Sequence, residues 1–170
     1  MIRPVKSEDA PAIAAIYAPM VEDEVTSFEL DAPDASEMAD RIRRTCRTHP
    51  WIVAEDEGGR ILGYAYGTVF RGRAAYRFAA ETSVYLHPKA QGRGIGFALS
   101  ERLNELLVER GFHVAIAVIT LPNESSVRLH ERLGYVAAGS LPDIGRKFDQ
   151  WHDVGLWVLR LNDEDPSTER

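Results

Sequence analysis

Between Glu81 and Gly111 the hydrophobic pattern changes from a period of two to a helical period across a glycine-rich turn, and this constrains the fold more than anything else in the chain. Thr82, Val84 and Leu86 alternate with Ser83 and Tyr85, and the β-branched and aromatic content predicts a strand. Pro88 stops it. Gln91-Gly92-Arg93-Gly94-Ile95-Gly96 follows, after which Ile95, Ala98, Leu99, Leu103, Leu106 and Leu107 recur at helical spacing until Gly111 supplies a C-terminal stop. Strand, glycine turn and helix together make a seat for an anion. The glycines let backbone N–H groups come close, and the helix N-terminus adds roughly half a positive charge.

The rest of the chain must supply one core. Its 170 residues suit a single domain, expected over 1–162 with a polar tail over 163–170, and no apolar run approaches the ~20 residues that span a bilayer. Met1-Ile2-Arg3-Pro4 leads straight into a polar, acidic segment, so no signal peptide is expected. Cys46 is the single cysteine, which excludes an intramolecular disulfide and suits a reduced, cytoplasmic protein. A net charge of -6 argues against a nucleic-acid partner, and no membrane partner is expected. An anionic ligand must be held locally. The 5 histidines, among them His49, His113 and His152, show no metal-ligand spacing, so no metal is expected.

Ile2 to Val5 reads as an opening strand, and Ser7 as the cap of a helix marked by Ile13, Ile16, Tyr17 and Met20. A second helix is expected from Asp34 to about Thr48, with Met38, Ile42 and Cys46 on one face. Trp51–Glu55 and Ile61–Gly67 flank Glu57-Gly58-Gly59, a hairpin signal. After the central helix, Val114 to Ile119 is apolar at every position and fits a strand buried on both faces, parallel to its predecessor. Asn123 caps a helix that ends at Gly134. Tyr135–Ala138 and Trp151–Leu161 read as closing strands, with Leu141–Gln150 as strand end and loop.

Spacing separates three readings of the glycine turn. A dinucleotide fingerprint needs G-x-G-x-x-G, but Phe97 stands at the third glycine; a P-loop needs G-x-x-x-x-G-K-[ST], which is absent. Gln-x-x-Gly-x-Gly does fit, through Gln91, Gly94 and Gly96, and it resembles the acyl-CoA loop of the GNAT N-acetyltransferase superfamily. The resemblance covers nearly the whole chain and implies an α/β fold: a mixed, mostly antiparallel sheet flanked by helices, with a splayed gap. It implies acetyl-CoA as cosubstrate, with pyrophosphate on Gln91, Gly92, Arg93, Gly94, Ile95 and Gly96, and pantetheine along Val84, Tyr85 and Leu86.

Within that superfamily several separated segments resemble phosphinothricin N-acetyltransferases and their methionine sulfone and sulfoximine relatives. They are Trp51–Glu55, Gly63–Tyr66, Arg73–Tyr76, Glu81–Tyr85, Asn123–Ser126 with Leu129-His130, and Gly145–Phe148 with Trp151. The chain departs from that pattern at Ala79-Ala80 and at Asp149, which bears on the acceptor more than on the chemistry. The resemblance implies acetyl transfer to the α-amino group of a small amino-acid analogue, in a homodimer. The alternatives are a related enzyme for another small amine or a peptide N-terminus, and a non-catalytic acyl-CoA-binding module.

Such a transfer needs a neutral amine and a proton for the departing thiolate. Glu81, at the start of the central strand, is the candidate base; alone it would read as a solvated strand residue. His130 stands where many members of the superfamily place a tyrosine acid, and is either that acid or a packed helix residue. Tyr135 reads as core. Asn123 and Ser126 are candidate cofactor contacts, Asn123 also as a cap. Arg71, Arg73, Tyr76 and Arg77 form a basic segment suited to carboxylate or phosphinate oxygens, against the alternative of a solvated hairpin. Phe28, Glu29, Lys147 and Trp151 either complete that acceptor pocket or pack in the core.

Overall fold

A computed structural model describes residues 1–162, so the expected tail over 163–170 lies outside the described residues. Seven strands form one mixed sheet: β1 (Ile2–Pro4), β2 (Trp51–Glu55), β3 (Ile61–Val69), β4 (Ala79–Leu86), β5 (Val114–Leu121), β6 (Val136–Lys147) and β7 (Gln150–Arg160). Their spatial order is β1-β2-β3-β4-β5-β7-β6, antiparallel throughout except between β4 and β5. Helices α1 (Ala10–Glu22) and α2 (Ala35–Thr45) precede β2, α3 (Ile95–Glu109) makes the crossover from β4 to β5, and α4 (Glu124–Arg132) follows β5. The expected α/β architecture is present.

Alternation along the strands divides the core in two. Trp51, Val53 and Tyr64 face α1 and α2, where Ile13, Tyr17, Met38 and Ile42 cover them; Ile52, Ala65, Ala115, Ala117 and Trp157 face the other way, onto Leu99, Leu103 and Leu107 of α3. On β4 the same rule puts Ala80, Val84 and Leu86 towards α3 and Tyr85 towards α1. Glu81 and Ser83 share the α1 side with Tyr85.

Four local expectations need correction. Ser7 does not cap the first helix; the Asp9 carboxylate accepts from the Lys6 N–H at 2.8 Å, and two Arg3 nitrogens hold it at 2.8 and 2.9 Å. The second helix stops at Thr45, leaving Cys46 exposed at its C-cap while Met38 and Ile42 are buried. In β5, Val118 is exposed, because neither α1 nor α2 reaches that end of the sheet. The span Leu141–Lys147 is strand rather than loop, and it joins β7 through Phe148-Asp149, both at positive φ. Two register shifts break its period of two, and the turn lacks the glycine that marks such hairpins.

Candidate active site

The centre of the sheet is open on one side. β4 and β5 pair only from Ala79–Val114 to Thr82–Ala117, and beyond that rung they part. Antiparallel pairing alternates between residues that hydrogen-bond across the ladder and residues that face away. Since His87 N–H donates to Leu62 O at 2.9 Å, register places Tyr85 and Ser83 in bonded pairs with β3 and turns the main chain of Val84 and Leu86 into the gap. Leu161 N–H donates to His113 O at 2.9 Å, so by the same count Val118 and Thr120 face the gap from β5. Unpaired N–H and C=O groups of this kind call for a partner. An extended amide-bearing arm laid between the strands supplies one.

Tyr85 separates from its two neighbours here. Its main chain belongs to the β3 ladder opposite Tyr64, and its ring packs edge-on to Tyr17 with centroids 5.1 Å apart. A period of two explains this: adjacent residues in a strand cannot both face the gap.

At the end of β4 the turn delivers the chain into α3. Gly92 and Gly94 have φ of 71° and 77°, left-handed values that a side chain resists, and Gly94 caps α3 without any side-chain bond. Ala98 N–H donates to Gly94 O at 3.1 Å as α3's first turn closes, leaving the amides of Ile95, Gly96 and Phe97 without a helical acceptor. Gln91 and Arg93 are exposed beside them. Gly96 is buried for a different reason: a Cβ there would lie 3.3 Å from Leu86 and 3.7 Å from Leu129, so strand end, turn and α4 close on one point.

On α4, the Asn123 carboxamide oxygen accepts from Ser126 N–H at 3.1 Å and from Ser125 Oγ at 3.0 Å, as expected of a cap. His130 is buried, with Nδ1 2.8 Å from the Ser126 carbonyl and 3.4 Å from its hydroxyl, and its ring stands edge-on to Tyr135 at 5.0 Å. A carbonyl can only accept, so Nδ1 carries the proton and Nε2 is an acceptor in the neutral ring. Burial pushes the imidazole pKa below its ordinary value, which favours that neutral form.

Glu81 lies half-buried opposite Thr68 of β3, its cross-strand neighbour. Burial raises its carboxyl pKa. From Thr68 a cleft of about 230 Å³ extends over Tyr66, Tyr64 and Trp51 to α1 and α2, with Arg41 and Arg44 at its edge. The Trp51 indole and the Tyr64 and Tyr66 phenols stack there, Trp51 on Tyr66 at 4.2 Å. Arg41 grips Glu29 with two bonds of 2.7 and 2.8 Å, and Tyr17 donates to the same carboxylate at 2.7 Å, which holds Glu29 ionised and below its usual pKa. Thr68 and Arg41 were not singled out by sequence, and Tyr66 only within the Gly63–Tyr66 segment; Thr68 becomes visible only through its register against Glu81.

The expected acceptor residues divide. Arg71, Arg73, Tyr76 and Arg77 are exposed on the segment leading into β4, and the three arginines form no ion pair among the described residues. Arg71 lies over Phe70 at 5.2 Å, and Arg77 over Phe78 at 4.3 Å. Lys147 is elsewhere and buried: Nζ donates to Ser27 O at 2.6 Å and Glu24 O at 2.8 Å, and burial lowers its pKa. It anchors the α1–α2 connection to the β6–β7 hairpin instead of offering its charge to a ligand. Phe28 joins the same anchor, packed where any side chain on Gly145 would collide with its ring, and Trp151 is 60 % exposed on β7. Among the described residues no group of three or more His, Cys, Asp and Glu gathers to hold a metal, and no helix is long and apolar enough to cross a membrane.

Comparison with known proteins agrees with this geometry. Residues 17–135 match the model of the Acetyltransferase (GNAT) family. The phosphinothricin N-acetyltransferase of Streptomyces viridochromogenes is 38% identical over 156 residues, 92% of this chain and 85% of that protein. An L-methionine sulfoximine/L-methionine sulfone acetyltransferase of Pseudomonas aeruginosa is 34% identical over 95% of this chain and 94% of its own. Among solved structures, a GNAT superfamily phosphinothricin acetyltransferase from Sinorhizobium meliloti in complex with AcCoA superposes with a TM-score of 0.95 at 36% identity, covering 99% of this chain and 94% of that one.

Proposed function

The chain belongs to the acetyltransferase (GNAT) family, and from that premise we propose that it transfers acetyl from acetyl-CoA to the α-amino group of small amino-acid analogues of the phosphinothricin and methionine sulfoximine or sulfone type. The observation that carries this reading is the unpaired β4 edge at Val84 and Leu86 running into the glycine turn, with half-buried Glu81 at its head. Pantetheine extends that edge like an added strand, and pyrophosphate meets the free amides at the start of α3, flanked by Gln91 and Arg93. Asn123 and Ser126 border the arm from α4.

The chemistry follows from Glu81 at the head of β4. The acceptor arrives as an ammonium ion, and Glu81, whose basicity is raised by burial, takes a proton from it. The free nitrogen attacks the thioester carbonyl, polarised by an N–H of the β4 edge, and a C–N bond forms. Collapse breaks the C–S bond and expels a thiolate, a far better leaving group than an amide anion. The proton shed by nitrogen as the amide forms neutralises that thiolate. His130, neutral with Nδ1–H given to Ser126, has no proton to offer at Nε2 and serves as packing for α4.

The basic segment of Arg71, Arg73 and Arg77, with Tyr76 among them, meets the acceptor's acidic oxygens. The single cysteine and the dependence on acetyl-CoA support a cytoplasmic location. A homodimer is supported by the β6–β7 hairpin, which exposes Val136, Ile144, Phe148 and Trp151; light scattering that finds a monomer at micromolar concentration removes that part of the reading. The main test is a thiol-release assay with acetyl-CoA and a panel of phosphinothricin, methionine sulfone, methionine sulfoximine, ordinary amino acids and polyamines. Turnover confined to polyamines would overturn the acceptor class.

A further inference from the structure

One buried polar cluster lies outside the chemistry just described. Tyr135, 3 % exposed, donates its hydroxyl proton to Asn104 Oδ1 of α3 at 2.9 Å. The Tyr135 hydroxyl oxygen also lies 3.4 Å from the Thr82 hydroxyl, which is itself 3.3 Å from the Ile116 carbonyl. Thr82 is also the last residue of β4 to pair with β5. The cluster therefore sits where the two strands part.

That position has a mechanical consequence. Past Thr82, the free edges of Val84 and Val118 are mutually complementary, and unpaired strand edges tend to close on each other. The chain of bonds from Thr82 through Tyr135 to Asn104 ties β4 to α3 instead. Asn104 is nine residues after Ile95, roughly 13 Å along the helix from the amides at its start. One hydroxyl thus links the strand that aligns an acyl arm to the helix that holds its phosphates.

We propose that Tyr135 is a positioning residue for the acyl donor, its hydroxyl fixing the point at which β4 and β5 separate and hence the spacing between the β4 edge and the N-terminus of α3. This rests on the reading of the gap as the acetyl-CoA site. Its ring packing against His130 is a separate, structural contribution that phenylalanine would retain.

Titration calorimetry with acetyl-CoA, together with steady-state KM and kcat for methionine sulfone, tests this on Tyr135→Phe, Thr82→Val and Thr82→Ser. Tyr135→Phe and Thr82→Val are expected to weaken acetyl-CoA binding about fivefold each, the size of one ordinary hydrogen bond. The acceptor KM should stay within about twofold. Thr82→Ser keeps the hydroxyl and should restore acetyl-CoA affinity, and the Tyr135→Phe/Thr82→Val double variant should lose less than the product of the single losses. Unchanged acetyl-CoA affinity in Tyr135→Phe, an equal loss in Thr82→Ser, or a parallel shift in acceptor KM overturns the proposal. If the unmodified protein itself fails to bind acetyl-CoA, the donor-site reading falls, and this inference with it.

Discussion

His130 Nδ1 lies 2.8 Å from the carbonyl oxygen of Ser126, one turn back on α4. A histidine committed in this way is a helix-packing residue with a backbone bond, and a general acid would need its transferable proton at the other nitrogen. His130→Gln is therefore expected to destabilise the fold by about 1–2 kcal/mol, from lost packing and the lost ring bond to Ser126, while kcat falls less than tenfold. Urea unfolding and initial rates measure the two. A loss of 10² or more in kcat at unchanged stability would return His130 to the acid role.

Glu81 gives the opposite pattern. Its carboxyl is raised by burial, and it must be ionised to take the amine proton, so kcat/KM should rise with pH through an apparent pKa above the ordinary carboxylate value of about 4.3. Glu81→Gln should remove that limb and lower kcat at pH 7 by about 10²–10⁴. Activity should recover in part at high pH, where the amine deprotonates unaided. A pH–rate profile of both proteins decides it, and full activity of the glutamine variant at neutral pH would exclude Glu81 as the base.

Stability should fall in acid in two stages. His49 and His130 are both buried, and burial depresses both pKa values below the unfolded value of about 6.5. The unfolded chain then binds more protons below pH 6.5, so their contribution is complete above that pH and is lost as pH falls through the folded values. Asp9 and Glu29, depressed by Arg3 and Arg41, add a second loss only below about pH 4. Urea midpoints from pH 7 to 5 should decline, and His49→Gln should flatten the first stage. A flat midpoint across that range would show that neither histidine is held neutral.

Legibility in the sequence followed how local each cause was. The run from Glu81 to Gly111 carries its own strand, turn and helix signals, so the donor side could be read residue by residue. Tyr85 needed one further fact, the register of β4 on β3, before it separated from Val84 and Leu86. The second half of β6, Leu141–Lys147, stayed hidden because its register shifts erase alternation and because Phe148 and Asp149 adopt positive φ without glycine. Lys147 was the hardest: its partners are the carbonyls of Glu24 and Ser27, some 120 residues away, and no side-chain pattern announces a backbone acceptor.

Gly94 offers a clean test of the turn, because a Cβ there would meet nothing within 4 Å and only its φ of 77° resists a side chain. Gly94→Ala should cost about 1–2 kcal/mol at this left-handed position, or shift the turn to avoid it. Either way the amides of α3 lose their alignment, and acetyl-CoA affinity should fall at least fivefold while the acceptor KM holds. Titration calorimetry reads this directly. Unaltered affinity would mean that the turn's conformation does not hold the donor.

Lys147 separates an anchoring role from a binding one. Its ammonium is nearly inaccessible and satisfied by two main-chain carbonyls, so removing it strands both acceptors beneath the α1–α2 connection. Lys147→Met keeps most of the stem and should cost about 2–3 kcal/mol, the range for a lost charged hydrogen-bonding group with buried partners left unpaired. The connection also carries Phe28 and Glu29, and Glu29 is held from α2 by Arg41, so part of the loop stays in place without the lysine. A moderate rise in KM, equal for phosphinothricin and for methionine sulfone, is therefore expected alongside the stability loss. Were Lys147 instead a direct contact to an acidic head group, the phosphinate substrate would suffer far more than the sulfone and the unfolding midpoint would hold. Comparing the two KM ratios with the urea midpoint distinguishes the outcomes in one variant.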